Sequence, residues 1–328
     1  MYRVVQWATG SMGRTALRRV IDHPDLELVG VYVYDVRKVG VDAGQIARRP
    51  NCGVPATNRI DDIIRLQPDV VLHMSRVTMP YERQNEDVTK LLTAGIDVIS
   101  IAGFHHPTCH GEAYAAPLRE ACRLGGSTLA GVGLNPGFIA ERIAALLSGL
   151  CARLDSIACY EVADASSMPS PEFIFGLMGF GADPSKRDIT REPIAHLYGS
   201  LYAEVLYAVA ESLQTTIQAI VPEHSVRLAA RELKIAAGRI EKGCVAGTEW
   251  RWRAKLENGI ELLHSVLWTA DPAQHGGAAA WRMELNGRPN VRATISLEDS
   301  DPAAPHMRAA VDATAAVALN AIPAVCAA

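Results

Sequence analysis

Through the first 150 residues or so, short apolar runs alternate with longer stretches in which apolar residues recur every three or four positions. The runs fall at residues 4–8, 26–35, 69–74, 97–101 and 127–131 and are rich in Val, Ile and Leu with few charges, as strands covered on both faces must be. Between them, Ala16, Leu17, Val20 and Ile21 share one helical face, as do Val88, Leu91 and Leu92, and then Ala115, Leu118 and Cys122. Strand followed by helix, repeated, predicts βαβ units around a parallel sheet. After the turn "LNPG" at residues 134–137, one further helix puts Ile139, Ile143, Leu146, Leu147 and Leu150 on a single stripe.

Beyond residue 150 the pattern changes. "MPSPEF" (168–173) and "MGFGADPS" (178–185) carry the Pro and Gly of connections, and a long helical stretch follows over about 191–220. The period then drops to two. In "AGTEWRWRAKL", Thr248, Trp250, Trp252, Ala254 and Leu256 point one way while Glu249, Arg251, Arg253 and Lys255 point the other, as in a sheet with one wet face. Asn258-Gly259 predicts a hairpin turn into residues 260–270. A second pair, 280–285 and 291–297, is expected to join around Asn286-Gly287, and an Ala-rich helix to begin near His306.

A chain of 328 residues can hold two domains. With 49% hydrophobic and 21% charged residues and a mean hydropathy of +0.07, it is composed as a well-packed globular protein. A net charge of −4 without a basic run gives no footprint for nucleic acid or an anionic membrane, so neither is expected as a partner. The N-terminus enters a strand directly, with no signal-like segment and no stretch of 18 apolar residues, which points to the cytoplasm. Seven scattered cysteines without CxxC spacing suggest neither a disulfide framework nor a metal site.

The candidate chemistry starts at the first strand. It runs into Ala8-x-Gly10-x-x-Gly13 at the opening of a helix, and an acid, Asp35, closes the second strand. Position and spacing are those of a dinucleotide-binding turn, in which glycines let the backbone approach a pyrophosphate and let helix pack on strand. Ala8, Thr9, Gly10, Ser11, Met12 and Gly13 are therefore expected at a cofactor. Ala8 stands where a glycine is usual and is tolerable if its φ stays negative. Asp35 favours the ribose hydroxyls of NAD, whereas Arg37 and Lys38 favour the 2′-phosphate of NADP, so either cofactor is open. Ser75 and Ala102 at strand ends, with Asn135 and Gly137 at a helix start, are further expected contacts. The fold expected is α/β: a Rossmann dinucleotide-binding domain over 1–150, an α+β substrate and dimerisation domain with a mostly antiparallel sheet over 151–305, and a C-terminal helix and tail, 306–328, packing back on the first domain.

The segments "VVQWATGSMGRTAL" (4–17), "ELVGVYVYDVRKVGVDAG" (27–44), "GVGLNPGFIAERI" (131–143), "MGFG" (178–181), "IAAGRIEKGCVAGTEWRW" (235–252) and "NAIPAVCAA" (320–328), in this order, span nearly the whole chain. Together they resemble the dihydrodipicolinate-reductase-like superfamily, in the branch of 2,4-diaminopentanoate dehydrogenase and the native amine dehydrogenases. The paired-histidine segment of true dihydrodipicolinate reductases is not found. The resemblance implies hydride transfer from a nicotinamide to a C=N or C=O carbon in a cleft between the domains, with reductive amination of a small apolar ketone or aldehyde as the leading reaction. It also implies a homodimer.

In that family a carboxylate just after the fourth long strand handles the ammonia. This chain reads "ISIAGFHHP" there, with Ala102 and Gly103 at the expected place. His105 and His106, in the same loop, are the candidate acid–base groups, and Glu112, Glu141 or Glu161 is a carboxylate that could serve from elsewhere. His264 shares a face with Leu262, Val266 and Trp268 and is expected in the core. Carbonyl or imine reduction without ammonia, and a non-catalytic NAD(P)-binding sensor, are the alternatives.

Overall fold

A computed structural model describes residues 1–277, 280–301, 304 and 307–328. His306, where the last helix was expected to start, lies outside the described residues, and so does residue 305 at the expected domain boundary. The chain divides into two compact units, Met1–Phe138 with Val311–Ala328, and Ile139–Ala310.

The first unit holds a six-stranded sheet of β1 (Tyr2–Trp7), β2 (Leu26–Tyr32), β3 (Ala56–Thr57), β4 (Val70–His73), β5 (Asp97–Ser100) and β6 (Leu129–Gly131), in the order β3-β2-β1-β4-β5-β6. Every pairing is parallel. Helices α1 (Ser11–Asp22), α2 (Ala43–Ala47), α3 (Ile60–Arg65), α4 (Asn85–Thr93) and α5 (Glu112–Gly125) make the crossovers. The order reverses direction between β1 and β4, and in such sheets ligands bind beyond the carboxyl ends of the strands at that point. One face of the sheet is closed by the end of the chain. Ala315, Ala318, Leu319, Ile322 and Val325 form one core with Val4, Val20, Leu72 and Ile99, each buried aliphatic side chain contributing about 1.5–3 kcal/mol over exposure.

Among its described residues the second unit carries α6 (Ala144–Ser148), the long α7 (Pro193–Ser212), the short α8 (Pro272–His275) and nine strands. These are β7 (Arg153–Asp164), β8 (Ile217–Pro222), β9 (Ser225–Leu228), β10 (Leu233–Ile235), β11 (Gly238–Ile240), β12 (Val245–Leu256), β13 (Glu261–Thr269), β14 (Ala280–Arg288) and β15 (Val291–Ile295). The main sheet runs β15-β14-β7-β13-β12-β8, with β9 also on β12, and is antiparallel except where β13 lies parallel to β7. Two helices follow it in the chain, α9 (Met307–Asn320) and α10 (Ile322–Val325).

Four local expectations change. The second strand ends at Tyr32, so Asp35 caps a tight turn, Val36–Lys38, instead of closing a strand. The helix expected to reach residue 220 stops at Ser212, because Gln214 takes φ +55° and the chain turns back as β8, which pairs with β12. Asn286-Gly287 is a bulge inside β14, not its turn: a Cβ on Gly287 would run into the carbonyl of Arg153 on the neighbouring strand. The stripe after "LNPG" belongs with the second unit from Ile139 onward.

Candidate active site

Strand β1 delivers the glycine turn to the carboxyl edge of the parallel sheet. Ala8 there has φ +69°, so the condition of a negative φ is not met. Its left-handed backbone is the conformation that favours glycine, and holding it costs an alanine about 1 kcal/mol. The turn is kept tight by Gln6, whose Nε2 donates to the Ala8 carbonyl at 3.0 Å. The two glycines differ in what demands them. A Cβ on Gly13 would collide with the Ala8 carbonyl, so packing of helix on strand requires it. A Cβ on Gly10 would meet nothing within 4 Å, and φ is −69°. Gly10 therefore leaves room for something outside the chain.

That room is a cavity of about 750 Å³ lined by Ala8, Thr9, Gly10, Asp35, Lys38 and Ser75 among others. Gly10 caps α1 without a side-chain bond, so amide N–H groups at the helix start face it unshielded. Arg37 pairs with Asp35 instead of reaching over the cavity: its Nε and Nη2 donate to the two carboxylate oxygens at 3.0 and 2.9 Å. That bond, with the Arg37 amide, holds the Asp35 carboxyl below the ordinary range. Lys38 turns inward and donates to Thr9 Oγ1 at 2.9 Å. Trp7 stacks on Tyr32 at 3.6 Å and donates to the Tyr34 hydroxyl at 2.9 Å, fixing Tyr34 at the rim. Gly10's open cradle, the helix start and the Asp35–Lys38 wall fit a dinucleotide.

Beneath this cavity lies a group the sequence reading missed. His73 ends β4 and is 2% exposed, its Nδ1 2.9 Å from Ser100 Oγ and its Nε2 3.1 Å from Ser75 Oγ. Burial pulls its pKa down to about 4, so it is neutral at ordinary pH. The one sign in the sequence was a histidine interrupting the apolar run "DVVLHM".

The remaining expected residues stand elsewhere. Ser11, Met12 and Gly13 lie in the first turn of α1, behind the cavity's lining. Ala102 is fully buried, its amide donating to Ser100 Oγ at 3.1 Å. Gly103 has φ +106°, and a Cβ there would run into the Tyr81 hydroxyl, so the loop excludes a side chain at 103. His105 packs against the "LNPG" turn: its Cε1 is 3.3 Å from where a Cβ on Gly137 would sit, and Gly137 holds φ +116°. Asn135 lies in that same kinked turn. His106 is 3.0 Å from Thr108 Oγ1 through Nδ1, within its own loop. Glu112 is exposed and paired with Arg119, and Glu141 is half-buried.

In the second unit Glu161 is a buried carboxylate on β7, and burial, with the Glu161 charge adding to it, pushes the Tyr198 hydroxyl's pKa up from its ordinary value. His264 stacks on Tyr202 at 4.8 Å in the face covered by α7, as its core assignment expected. Among the described residues no three His, Cys, Asp or Glu side chains are placed to hold a metal.

Comparison with known proteins follows the same division. Residues 4–98 match the family described as dihydrodipicolinate reductase, N-terminus. An amine dehydrogenase of Streptomyces virginiae is 28% identical over 317 residues, covering 91% of this chain and 86% of that one. The chain is similar over its N-terminal part to dihydrodipicolinate reductases and over most of its length to an amine dehydrogenase. An amine dehydrogenase is thus among its relatives, and it is an oxidoreductase. The fold agrees: the structure of an amine dehydrogenase from Mycobacterium smegmatis superposes with a TM-score of 0.80 at 19% identity, covering 100% of this chain and 93% of that one. GenD2 from gentamicin A biosynthesis, solved with NAD, gives 0.58 at 16% identity over 98% and 86%.

Proposed function

We propose that this oxidoreductase is an NAD(P)H-dependent, amine dehydrogenase-like enzyme that converts a small apolar ketone or aldehyde and ammonia into a primary amine. The observation that carries this is the glycine cradle and its cavity on a chain similar over 91% of its length to an amine dehydrogenase. When bound, the nicotinamide supplies the hydride. The chain's own residues do the rest. Amides at the start of α1 take the pyrophosphate. Asp35 accepts from a ribose hydroxyl, while Arg37, already on Asp35, and Lys38 offset the charge that would repel a 2′-phosphate. Both NAD and NADP are accommodated in this way. Ser75, Asn135 and Gly137 complete the cofactor's surroundings, with the buried Ala102 acting only through its amide on Ser100, and His105 or His106 moves the proton at the reacting oxygen or nitrogen.

The loop at 102–103 offers no carboxylate, and His105 or His106 of the same loop takes over the handling of the ammonia. We also place the enzyme in the cytoplasm as a homodimer, paired through the second sheet, whose outer face carries Arg251 and Arg253 bridged to Glu223. No helix among the described residues is long and apolar enough to cross a membrane.

The steric bar at Gly103 favours a second reading, reduction of a carbonyl or imine without ammonia. The test is NADH and NADPH oxidation against aliphatic and cyclic ketones and aldehydes, with and without high ammonium. Ammonium-dependent oxidation yielding amine is expected, reduced about hundredfold or more in the double variant His105→Ala/His106→Ala. Turnover indifferent to ammonium would establish the carbonyl reductase, and cofactor binding without turnover on any substrate the sensor.

A further inference from the structure

The hydrogen bonds around His73 have a direction that follows from counting protons. The Ala102 amide can only donate, and it donates to Ser100 Oγ at 3.1 Å. Ser100 is fully buried, and among the described residues its hydroxyl's other hydrogen-bond partner is His73 Nδ1 at 2.9 Å. Its own proton must therefore go to Nδ1, since a buried hydroxyl proton without an acceptor is costly. With Nδ1 accepting, a neutral imidazole carries its proton on Nε2. Nε2–H then donates to Ser75 Oγ, 3.1 Å away. Ser75 has one of its two lone pairs taken and its O–H left over. It lines the cavity beside Thr9 and Gly10, and among the described residues no acceptor on the chain takes that proton.

We propose that His73 and Ser100 are positioning residues that turn the Ser75 hydroxyl into a fixed hydrogen-bond donor for an acceptor oxygen of the bound dinucleotide, either on the pyrophosphate or on the ribose next to it. The place on the ligand follows from register. Trp7 and His73 face each other on adjacent parallel strands, so Ser75 stands two residues past His73 as Thr9 stands two past Trp7, level with the glycine turn. His73 and Ser100 are likewise opposite each other on β4 and β5, so the sheet itself sets the whole chain of donors. A histidine kept neutral keeps the direction constant. Burial does this for His73, whose pKa is brought to about 4.

This inference rests on the dinucleotide reading above, and its test separates the two. Dissociation constants for ADP, ADP-ribose, NAD and NADP are measured by calorimetry for the full wild-type chain, Ser75→Ala, His73→Phe, Ser100→Ala and the double variant Ser75→Ala/His73→Phe. Ser75→Ala is expected to weaken binding about tenfold, the worth of a hydrogen bond to a charged or strongly polar acceptor. His73→Phe is expected to weaken it as much, and the double variant no further. A purely structural histidine would instead give losses that multiply. Ser100→Ala keeps the buried ring should His73→Phe not fold, and it is expected to show the same loss. Nitrogen NMR of histidine-labelled protein should find the His73 proton on Nε2.

A loss already present with ADP assigns the pyrophosphate, and one that first appears with ADP-ribose assigns the ribose. Multiplying losses, unchanged affinity in Ser75→Ala, or the proton on Nδ1 overturns the donor chain. A wild-type chain that binds none of the four ligands overturns the dinucleotide reading itself.

Discussion

The two units bury their histidines in opposite ways. In the first, His73 sits under the ends of parallel strands with both ring nitrogens bonded, to Ser100 and Ser75. In the second, His264 lies mid-strand on β13, stacked on Tyr202 and 6.4 Å from the Trp252 ring, with Nε2 buried and without a hydrogen-bond partner among the described residues. Polar groups at strand ends can be satisfied by the next loop and still face a cavity. Polar groups in the middle of a sheet face are held by packing, and stacking there replaces hydrogen bonding. The first arrangement orients a donor toward a ligand, and the second tolerates a polar atom for the sake of an aromatic core.

Acid should expose the difference most strongly. Burial holds His73 at about 4 and His264 at about 3, against an ordinary 6.5. The unfolded chain thus binds more protons than the folded one between pH 6.5 and those values, and stability is complete above the window and falls as pH drops through it. At about 1.4 kcal/mol per pH unit and histidine, the pair should cost roughly 5 kcal/mol between pH 7 and pH 4.5. His264→Phe should remove about half of that loss, and it should leave stability at pH 7 unchanged or higher because an unpartnered nitrogen is replaced by a ring that stacks equally well. Urea unfolding at the two pH values checks both. An unchanged pH slope in His264→Phe would mean that this histidine is not held neutral by its packing.

The glycines sharpen the contrast between fold and ligand within the first unit. Gly13→Ala pushes a methyl into the Ala8 carbonyl and should cost about 3 kcal/mol of stability along with cofactor binding. Gly10→Ala meets no protein atom, so stability should change by less than about 1 kcal/mol while dinucleotide affinity falls about tenfold or more. Thermal unfolding beside calorimetry separates the two effects. Equal losses in both variants would make Gly10 a packing glycine and empty the cradle of its meaning.

These cases also show what the sequence could carry. That Gly10, Asp35, Lys38 and Ser75 follow strand ends, where they line the cavity, was legible because each lies in a short local pattern. The His73–Ser100 bond was not, because it joins residues 27 apart in sequence through strand register, which periodicity does not encode. Asn286-Gly287 misled for a related reason. The pair marks a close backbone approach, and the same residue types serve a turn or a bulge according to the neighbouring strand. The reach of Arg37 to Asp35 was likewise hidden in a charge count that assigned the two to rival cofactors.

Ala8 gives the smallest effect and the most direct comparison of local cost with local need. Its φ of +69° strains an alanine, whereas a glycine would adopt it freely. Ala8→Gly relieves about 1 kcal/mol in the folded state, but the freer unfolded chain takes back a comparable part. A net gain of about 0.5 kcal/mol or less is expected, with dinucleotide affinity unchanged, because Gln6 still anchors the carbonyl at residue 8. Should affinity instead rise with little change in stability, the methyl would be crowding the ligand, and the strain at Ala8 would be a feature of the cavity and not of the turn.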